Sequence, residues 1–299
     1  MNEMKGNSMA VFNSNDIYPV SADSELPFEQ HRDIFHLTGI DQEETILLLY
    51  PHSKDDKTRE ILFIRKSDNH TKVWEGEKLS KKQANELSGI DSIYLIDDFK
   101  DILSSIATKV DTFYINKNEH YRANSPVETR EDRFISWLLK KYPAHNVAKS
   151  NPILQRQRSV KHPDEIDQIK KACDITRRGF NRVLEFIKPD VWEYEIEAEF
   201  IHEFINSSSK GFAYSPIIAS GNDNNVLHYI KNNKQCKSGE LILMDVGAEY
   251  GNYSSDMTRT VPVSGKFSKR QKEIYNAVLR VKNEATKLLT VGNNWKIYH

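Results

Sequence analysis

The sequence predicts an α/β (α+β) protein of two domains. Three observations carry that reading. Short apolar runs alternate with amphipathic helical patterns through the first half, which implies a sheet layered with helices. A stretch near residue 150 with three prolines interrupts that pattern. Beyond it, two long helical patterns lead into several β-rich runs and a further helix. The length of 299 residues agrees, because domains average about 150 residues.

Residues 1–22 contain few apolar side chains and read as a loose leader. Residues 23–150 read as the first domain. Residues 45–50 (TILLLY), closed by Pro51, form a short apolar run of the kind a buried strand needs. Residues 60–64, 92–96 and 112–115 read the same way. Helical patterns cover 80–88, 98–108 and 129–142; in the last, Phe134, Trp137, Leu138 and Tyr142 share one face. Residues 143–163 have little periodicity and read as the connection.

The second domain is assigned to 151–299. Pro163 suits the first position of a helix, with Asp164, Glu165 and Asp167 favoured by the helix dipole. Ile166, Ile169, Cys173, Thr176, Phe180, Leu184 and Ile187 then keep one face. A second helix is expected over 193–207, and strands over about 212–219, 225–230, 241–249 and 252–263. Ser268 and Gln271 have capping-box spacing ahead of a helix with Ile274, Val278, Val281, Ala285 and Leu288 on its apolar face.

Composition narrows the function classes. With 42 basic and 43 acidic residues the net charge is −1. No clustered basic excess is present, which argues against nucleic acid or an anionic membrane as partner. Mean hydropathy is −0.64, and no apolar run approaches the ~18 residues of a membrane span. Two cysteines, Cys173 and Cys236, cannot build a disulfide framework or a four-thiolate zinc site. The start, MNEMKGNSMAVFNSND, lacks the apolar segment of a secretory signal, so a cytoplasmic, reducing setting is expected. No P-loop, G-x-G-x-x-G or G-x-S-x-G occurs. His202-Glu203 begins a zinc-type H-E-x-x-H, but position 206 is Asn.

The chemistry concentrates in 241–263, LILMDVGAEYGNYSSDMTRTVPV. Two β-rich runs flank Tyr250-Gly251, which suits a two-residue hairpin turn. In that register Asp245 faces Asp256 on one side of the sheet, with Cβ atoms about 4.5–5.5 Å apart. Two ionised carboxylates there repel. A shared proton or a divalent cation compensates; a one-residue slip would instead separate the acids onto opposite faces. Upstream, His228 follows a polar Gly/Asn loop in an expected short strand, and Tyr214 lies in FAYSPII. Taken singly, a satisfied structural histidine and a core tyrosine are the ordinary readings of such residues.

Together these strings resemble a known family. AYSPIIASGNDNNVLHY, SGELILMDVGAEYGNYSSDMTRTVPVSGKFS and QKEIY resemble the first half of the catalytic domain of Xaa-Pro aminopeptidases (aminopeptidase P), in the "pita-bread" superfamily. QRSVKHPDEIDQIKKACDIT resembles the family's entry helix; HRDIFHLTGI and TKVWEGEKLS resemble its N-terminal, creatinase-like α/β domain. The resemblance implies hydrolysis of the bond between an N-terminal residue and a following proline, with two divalent metal ions as cofactor. Oxygen-rich ligands favour manganese. Asp245 would bind both metals and Asp256 would bridge them. His228 would hydrogen-bond the substrate and the tetrahedral intermediate. Tyr214 would steady a ligating carboxylate, with Thr258 a further supporting residue. Trp74 would reach a neighbouring subunit's active site, which implies a homo-oligomer formed through the N-terminal domain. The substrates implied are peptides with proline second, whose tertiary peptide bond lacks an N–H.

One departure matters. The family's later histidine, in a string like HGxxHxxG, and its two later glutamates do not occur. The chain is therefore expected to be truncated within the pita-bread domain, to expose an apolar face and a sheet edge, and to be inactive alone. A prolidase acting on dipeptides and a non-catalytic pita-bread binding module are the competing readings. TKVWEG favours the aminopeptidase, and a repelling acid pair kept together with His228 argues against the binding module.

Overall fold

Strand alternation organises the first unit. The computed structural model describes residues 1–118, 120 and 126–298, which divide into Met1–Val160 and Lys161–His299. The first unit runs β1 (Ser8–Asn13), β2 (Pro19–Ser21), β3 (Ser24–Glu25), α1 (Arg32–Thr38), β4 (Ile46–Leu49), β5 (Glu60–Ile64), α2 (Asn69–Glu75) and α3 (Lys81–Ser88). It continues through β6 (Ser92–Leu95), α4 (Phe99–Ala107), β7 (Thr112–Ile115), α5 (Arg130–Lys141), β8 (Asn146–Lys149) and α6 (Asn151–Ser159). Six strands form one mixed sheet in the order β6-β5-β4-β1-β7-β8. Because successive side chains point to opposite faces, Ala10, Phe12, Leu47 and Leu62 pack with Ile34 and Ala84 on one side. Met9, Val11, Leu48 and Phe63 pack with Phe99, Leu103 and Leu138 on the other.

Two expectations fail here. Residues 1–22 are not a loose leader: β1 lies inside the sheet and all six of its residues are buried. A strand covered on both faces shows no alternation, and the run MAVF between Ser8 and Asn13 is too short to stand out. Nor is 143–163 a plain connection. It holds β8 and α6, and Leu154 of α6 is buried in the first unit's core, which therefore extends to Val160.

The second unit comprises α7 (Pro163–Phe186), α8 (Glu193–Asn206), β9 (Gly211–Phe212), β10 (Ile217–Ser220), β11 (Leu241–Val246), β12 (Ala248–Tyr250), β13 (Tyr253–Ser254), β14 (Met257–Pro262), α9 (Lys269–Lys287) and α10 (Trp295–Tyr298). Pro163 starts α7 as expected, and Glu165 accepts from the His162 N–H at 2.8 Å. The buried face of α7 is Ala172, Ile175, Thr176, Gly179, Phe180 and Val183. Cys173 and Leu184, expected inside, are exposed. The face is set by close approach: a Cβ at Gly179 would stand 2.8 Å from the Phe204 ring of α8.

The capping box at Ser268 and Gln271 is present, but no residue of α9 is buried. Its apolar face, including Val278 and Val281, is exposed. β14 pairs only with β11 among the described residues. No helix among them is long and apolar enough to cross a membrane.

Candidate functional site

The hairpin of 241–263 forms, but not in the expected register. Its turn is Gly251-Asn252, whose φ angles of 57° and 67° suit the mirror-image turn of tight hairpins. Glu249 pairs with Ser254, and Asp245 pairs with Thr258, not with Asp256. The register is two residues along from the expected one. A shift of two preserves the face, so Asp245 and Asp256 still lie on one side of the sheet, as diagonal neighbours.

Both strands of the hairpin change sheets midway. β11 belongs to the sheet β10-β11-β14, whereas β12 belongs to β13-β12-β9. The handover on the first strand is Gly247, and on the second it is Ser255-Asp256. The strands touch there: a Cβ at Gly247 would lie 1.9 Å from the Ser255 carbonyl oxygen. Ser255 and Thr176 close the crossing. The Ala248 N–H donates to Thr176 Oγ1 at 2.8 Å and to Ser255 Oγ at 3.0 Å, and the two hydroxyls are 2.7 Å apart. The expected strand 212–219 is broken in the same way, into β9 and β10. Tyr214 occupies the break.

The site therefore forms where the ladder is interrupted. The Tyr214 hydroxyl lies 2.6 Å from Asp245 Oδ1 and 3.2 Å from Asp256 Oδ1. A phenol has one proton to donate, and the shorter contact marks Asp245 as its acceptor. Burial first, and then the Asp245 carboxylate, raise the pKa of Tyr214 far above the ordinary tyrosine value, so it remains a donor at neutral pH. Asp245 is half-buried and Asp256 is exposed. Thr258 is exposed opposite Asp245.

His228 is not in a strand. The span 225–230 is the end of a 3-10 turn (Gly221–Asn225) followed by a loop, and His228 is exposed. It bonds to neither acid among the described residues. Sequence reasoning missed what holds this loop. Asn224 accepts from the Leu243 N–H and donates to the Leu241 carbonyl, at 3.1 and 3.0 Å. Asn232 accepts from the Ile218 N–H at 3.0 Å. Buried Glu193 accepts from Tyr229 at 2.8 Å. Polar loop residues carry no periodic signal from which such ties could be read.

In the first unit, Trp74 is 75% exposed on α2, next to Val73 at 80%. Arg65 anchors the helix, reaching Glu75 at 2.6 Å and Glu43 at 2.8 Å. Lys78 bonds Glu43 at 2.7 Å. The tryptophan is thus held on a fixed helix and not packed into the core.

Residues 167–299 match metallopeptidase family M24, and residues 1–114 match the aminopeptidase P N-terminal domain. A solved structure of a putative aminopeptidase P from Bacillus anthracis superposes with a TM-score of 0.92 at 31% identity, covering 99% of this chain and 70% of that one. The chain belongs to the aminopeptidase P family. Within that family it is 31% identical over 280 residues to the Xaa-Pro aminopeptidase of Escherichia coli (strain K12), covering 92% of this chain and 62% of the relative. It is 30% identical over 284 residues to Xaa-Pro aminopeptidase 3 of Homo sapiens, covering 55% of that protein. The chain thus spans about three fifths of the curated relatives it matches. A zinc-substituted E. coli aminopeptidase P in complex with product superposes with a TM-score of 0.85 at 30% identity, covering 65% of that chain.

The metallopeptidase match covers both acids, which makes them candidate metal donors. In kind they fit: two carboxylates on one face share one neutral donor, and hard oxygen ligands suit divalent cations. In number, two carboxylates fall short of a metal-ligand set. Among the described residues no group of three or more His, Cys, Asp or Glu could hold a metal ion. Glu249 and Glu240 do not add to it. Glu249 accepts from the Asn252 N–H in the turn, and Glu240 accepts from the Lys237 N–H at 3.0 Å.

Proposed function

We propose that this chain carries part of the catalytic apparatus of a metal-dependent exopeptidase that cleaves between an N-terminal residue and a following proline. The observation that carries the reading is the Tyr214 hydroxyl held against Asp245 and Asp256 at the break in the ladder. One proton cannot satisfy two carboxylates, so the pair is poised for a cation. In this reading Asp245 and Asp256 hold divalent metal, with manganese as first choice for an oxygen-rich donor set. When bound, such ions supply Lewis acidity toward a peptide carbonyl and toward water. Tyr214 fixes the carboxylate of Asp245 in one orientation, and Thr258 borders it. Exposed His228 is free to donate to the substrate and to the oxyanion that develops on it.

His228→Ala is expected to lower kcat on an Xaa-Pro peptide by about 100-fold or more while metal content stays unchanged. Loss of metal together with activity would make His228 a ligand instead. The assay is run with excess Mn²⁺ on the 299-residue chain and on whichever form of the protein has turnover. With its partial ligand set, the 299-residue chain is expected to show no turnover. A rate of about 1 per second or more would mean that a partner chain completes the site.

The proposed oligomer contact is Trp74 with Val73. Large exposed aromatics anchor interfaces. Sedimentation at micromolar concentration should find self-association that Trp74→Ala weakens; a parent protein that is strictly monomeric rejects the contact. We place the protein in the cytoplasm, where free thiols at Cys173 and Cys236 persist; recovery from an oxidising compartment on cell fractionation would reject that.

A further inference from the structure

We infer that Glu193 is the positioning residue for His228, setting the loop from which the imidazole meets its substrate. The inference rests on the reading of His228 as a substrate contact.

Glu193 is the first residue of α8 and is 0% exposed. Its Oε1 accepts from the Ser220 N–H at 2.8 Å and from the Ser220 hydroxyl at 2.7 Å. Its Oε2 accepts from the Tyr229 hydroxyl at 2.8 Å and from the Lys234 N–H at 3.0 Å. No ion pair reaches it among the described residues. Four donors therefore do the work of a counter-charge, and they come from the end of β10 and from the loop that follows.

That loop carries His228 near its apex. Its two feet also carry ties that do not involve Glu193, an Asp223–Lys234 ion pair and the Asn224 and Asn232 bonds already described. The apex has a different anchor. Val226, Leu227, His228 and Ile230 are all exposed, whereas Tyr229 is buried against Ile217 and Ala219 of β10. The Tyr229 hydroxyl then reaches Glu193, which is how the residue adjoining His228 is held to the body of the unit. Burial, and then Glu193, raise the pKa of that hydroxyl well above the ordinary tyrosine value, keeping it a donor.

The arrangement requires an acceptor on both sides of residue 193. A carboxylate supplies only acceptors, whereas an amide supplies one acceptor and one NH₂ donor. Glutamine at 193 would set its NH₂ against either the Ser220 N–H or the Lys234 N–H. The two hydroxyls can rotate, but neither backbone N–H can. A residue of the same size thus breaks the anchor whichever way it is turned.

The test uses Glu193→Gln, Tyr229→Phe, His228→Ala and the Glu193→Gln/His228→Ala double variant. Amide hydrogen exchange on the 299-residue chain reads the loop directly. Glu193→Gln should reduce protection at least tenfold at Ser220 or Lys234, whose amides donate to it, and at Val226 within the loop, while Ile242 and Met244 of β11 stay protected. Tyr229→Phe, which keeps the ring and the other three bonds to Glu193, should do so to a smaller degree and serves if the Gln variant does not fold.

In the form of the protein that has turnover, Glu193→Gln should lower kcat at least tenfold with KM and metal content unchanged. Because it acts through His228, the double variant should be no slower than His228→Ala alone. Unchanged exchange at the loop, or kcat losses that multiply, would overturn the assignment. A fully active His228→Ala variant with altered loop exchange would place the fault in the reading of His228, and the assignment would fall with it. A normal His228 effect with unaltered exchange would place the fault in Glu193 alone.

Discussion

Gly247→Ala is expected to destabilise the protein by about 4 kcal/mol or more, in the range that marks a specific structural failure. The new methyl carbon would stand 1.9 Å from the Ser255 carbonyl oxygen and 2.7 Å from its carbonyl carbon. Those atoms are backbone, so no rotamer change relieves the clash. Separating the strands there also breaks the Ser255 N–H to Ala248 carbonyl bond at 3.0 Å, together with the bonds of Thr176 and Ser255 to Ala248. Buried polar groups left without partners add about 1–3 kcal/mol each. Chemical denaturation followed by circular dichroism measures the loss. A variant within about 0.5 kcal/mol of the parent, the span of ordinary surface substitutions, would mean that the strands do not cross this closely.

Asp256→Asn is expected to remove metal binding with its associated activity, without loss of stability in metal-free buffer. The sign follows from the geometry. Without a cation, Asp245 and Asp256 are like charges on one face with one phenolic proton between them. Replacing one by a neutral amide relieves that repulsion, so the melting temperature in chelator should hold or rise. With Mn²⁺, in a form of the protein whose ligand set is complete, the order reverses. The parent gains stability by mass action, about 2.7 kcal/mol at a cation concentration 100 times the dissociation constant, whereas the variant gains none. Turnover, in the form of the protein that has it, should fall about 1000-fold or more with the lost charge. Calorimetric titration with Mn²⁺ and melting curves with and without chelator check both signs. A variant that still binds Mn²⁺ like the parent would remove Asp256 from the metal site.

The failures of sequence reasoning follow a pattern. The buried face of α7 is displaced from the expected one because Ala172 and Gly179 sit at its centre, and small residues are nearly silent in a hydrophobic pattern. At Gly179 the Phe200 and Phe204 rings press against the helix and leave no room for a side chain. β1 escaped notice because a strand covered on both faces shows no alternation. The hairpin register was displaced because YGN offers two turn positions. Positive φ at both Gly251 and Asn252 decides between them, and neither turn is excluded by composition.

What the sequence by itself determined was local. The strands at 46–49, 60–64 and 112–115, the helices of 81–88 and 130–141, the capped start of α9 and the shared face of Asp245 and Asp256 all follow from periodicity, capping and strand alternation. That last point survived a register shift of two because the side-chain period in a strand is two. The family was legible for a similar reason: its strings are short, continuous and dense in chemistry. Only the tertiary structure decided how Tyr214 meets both acids, why Gly247 must lack a side chain and how Glu193 comes to anchor the loop of His228. Each of those joins residues 27 to 42 apart in the chain or turns on two strands crossing in contact. Such contacts arise when strands change sheets and polar side chains are buried together, and no pattern of neighbouring residues encodes them.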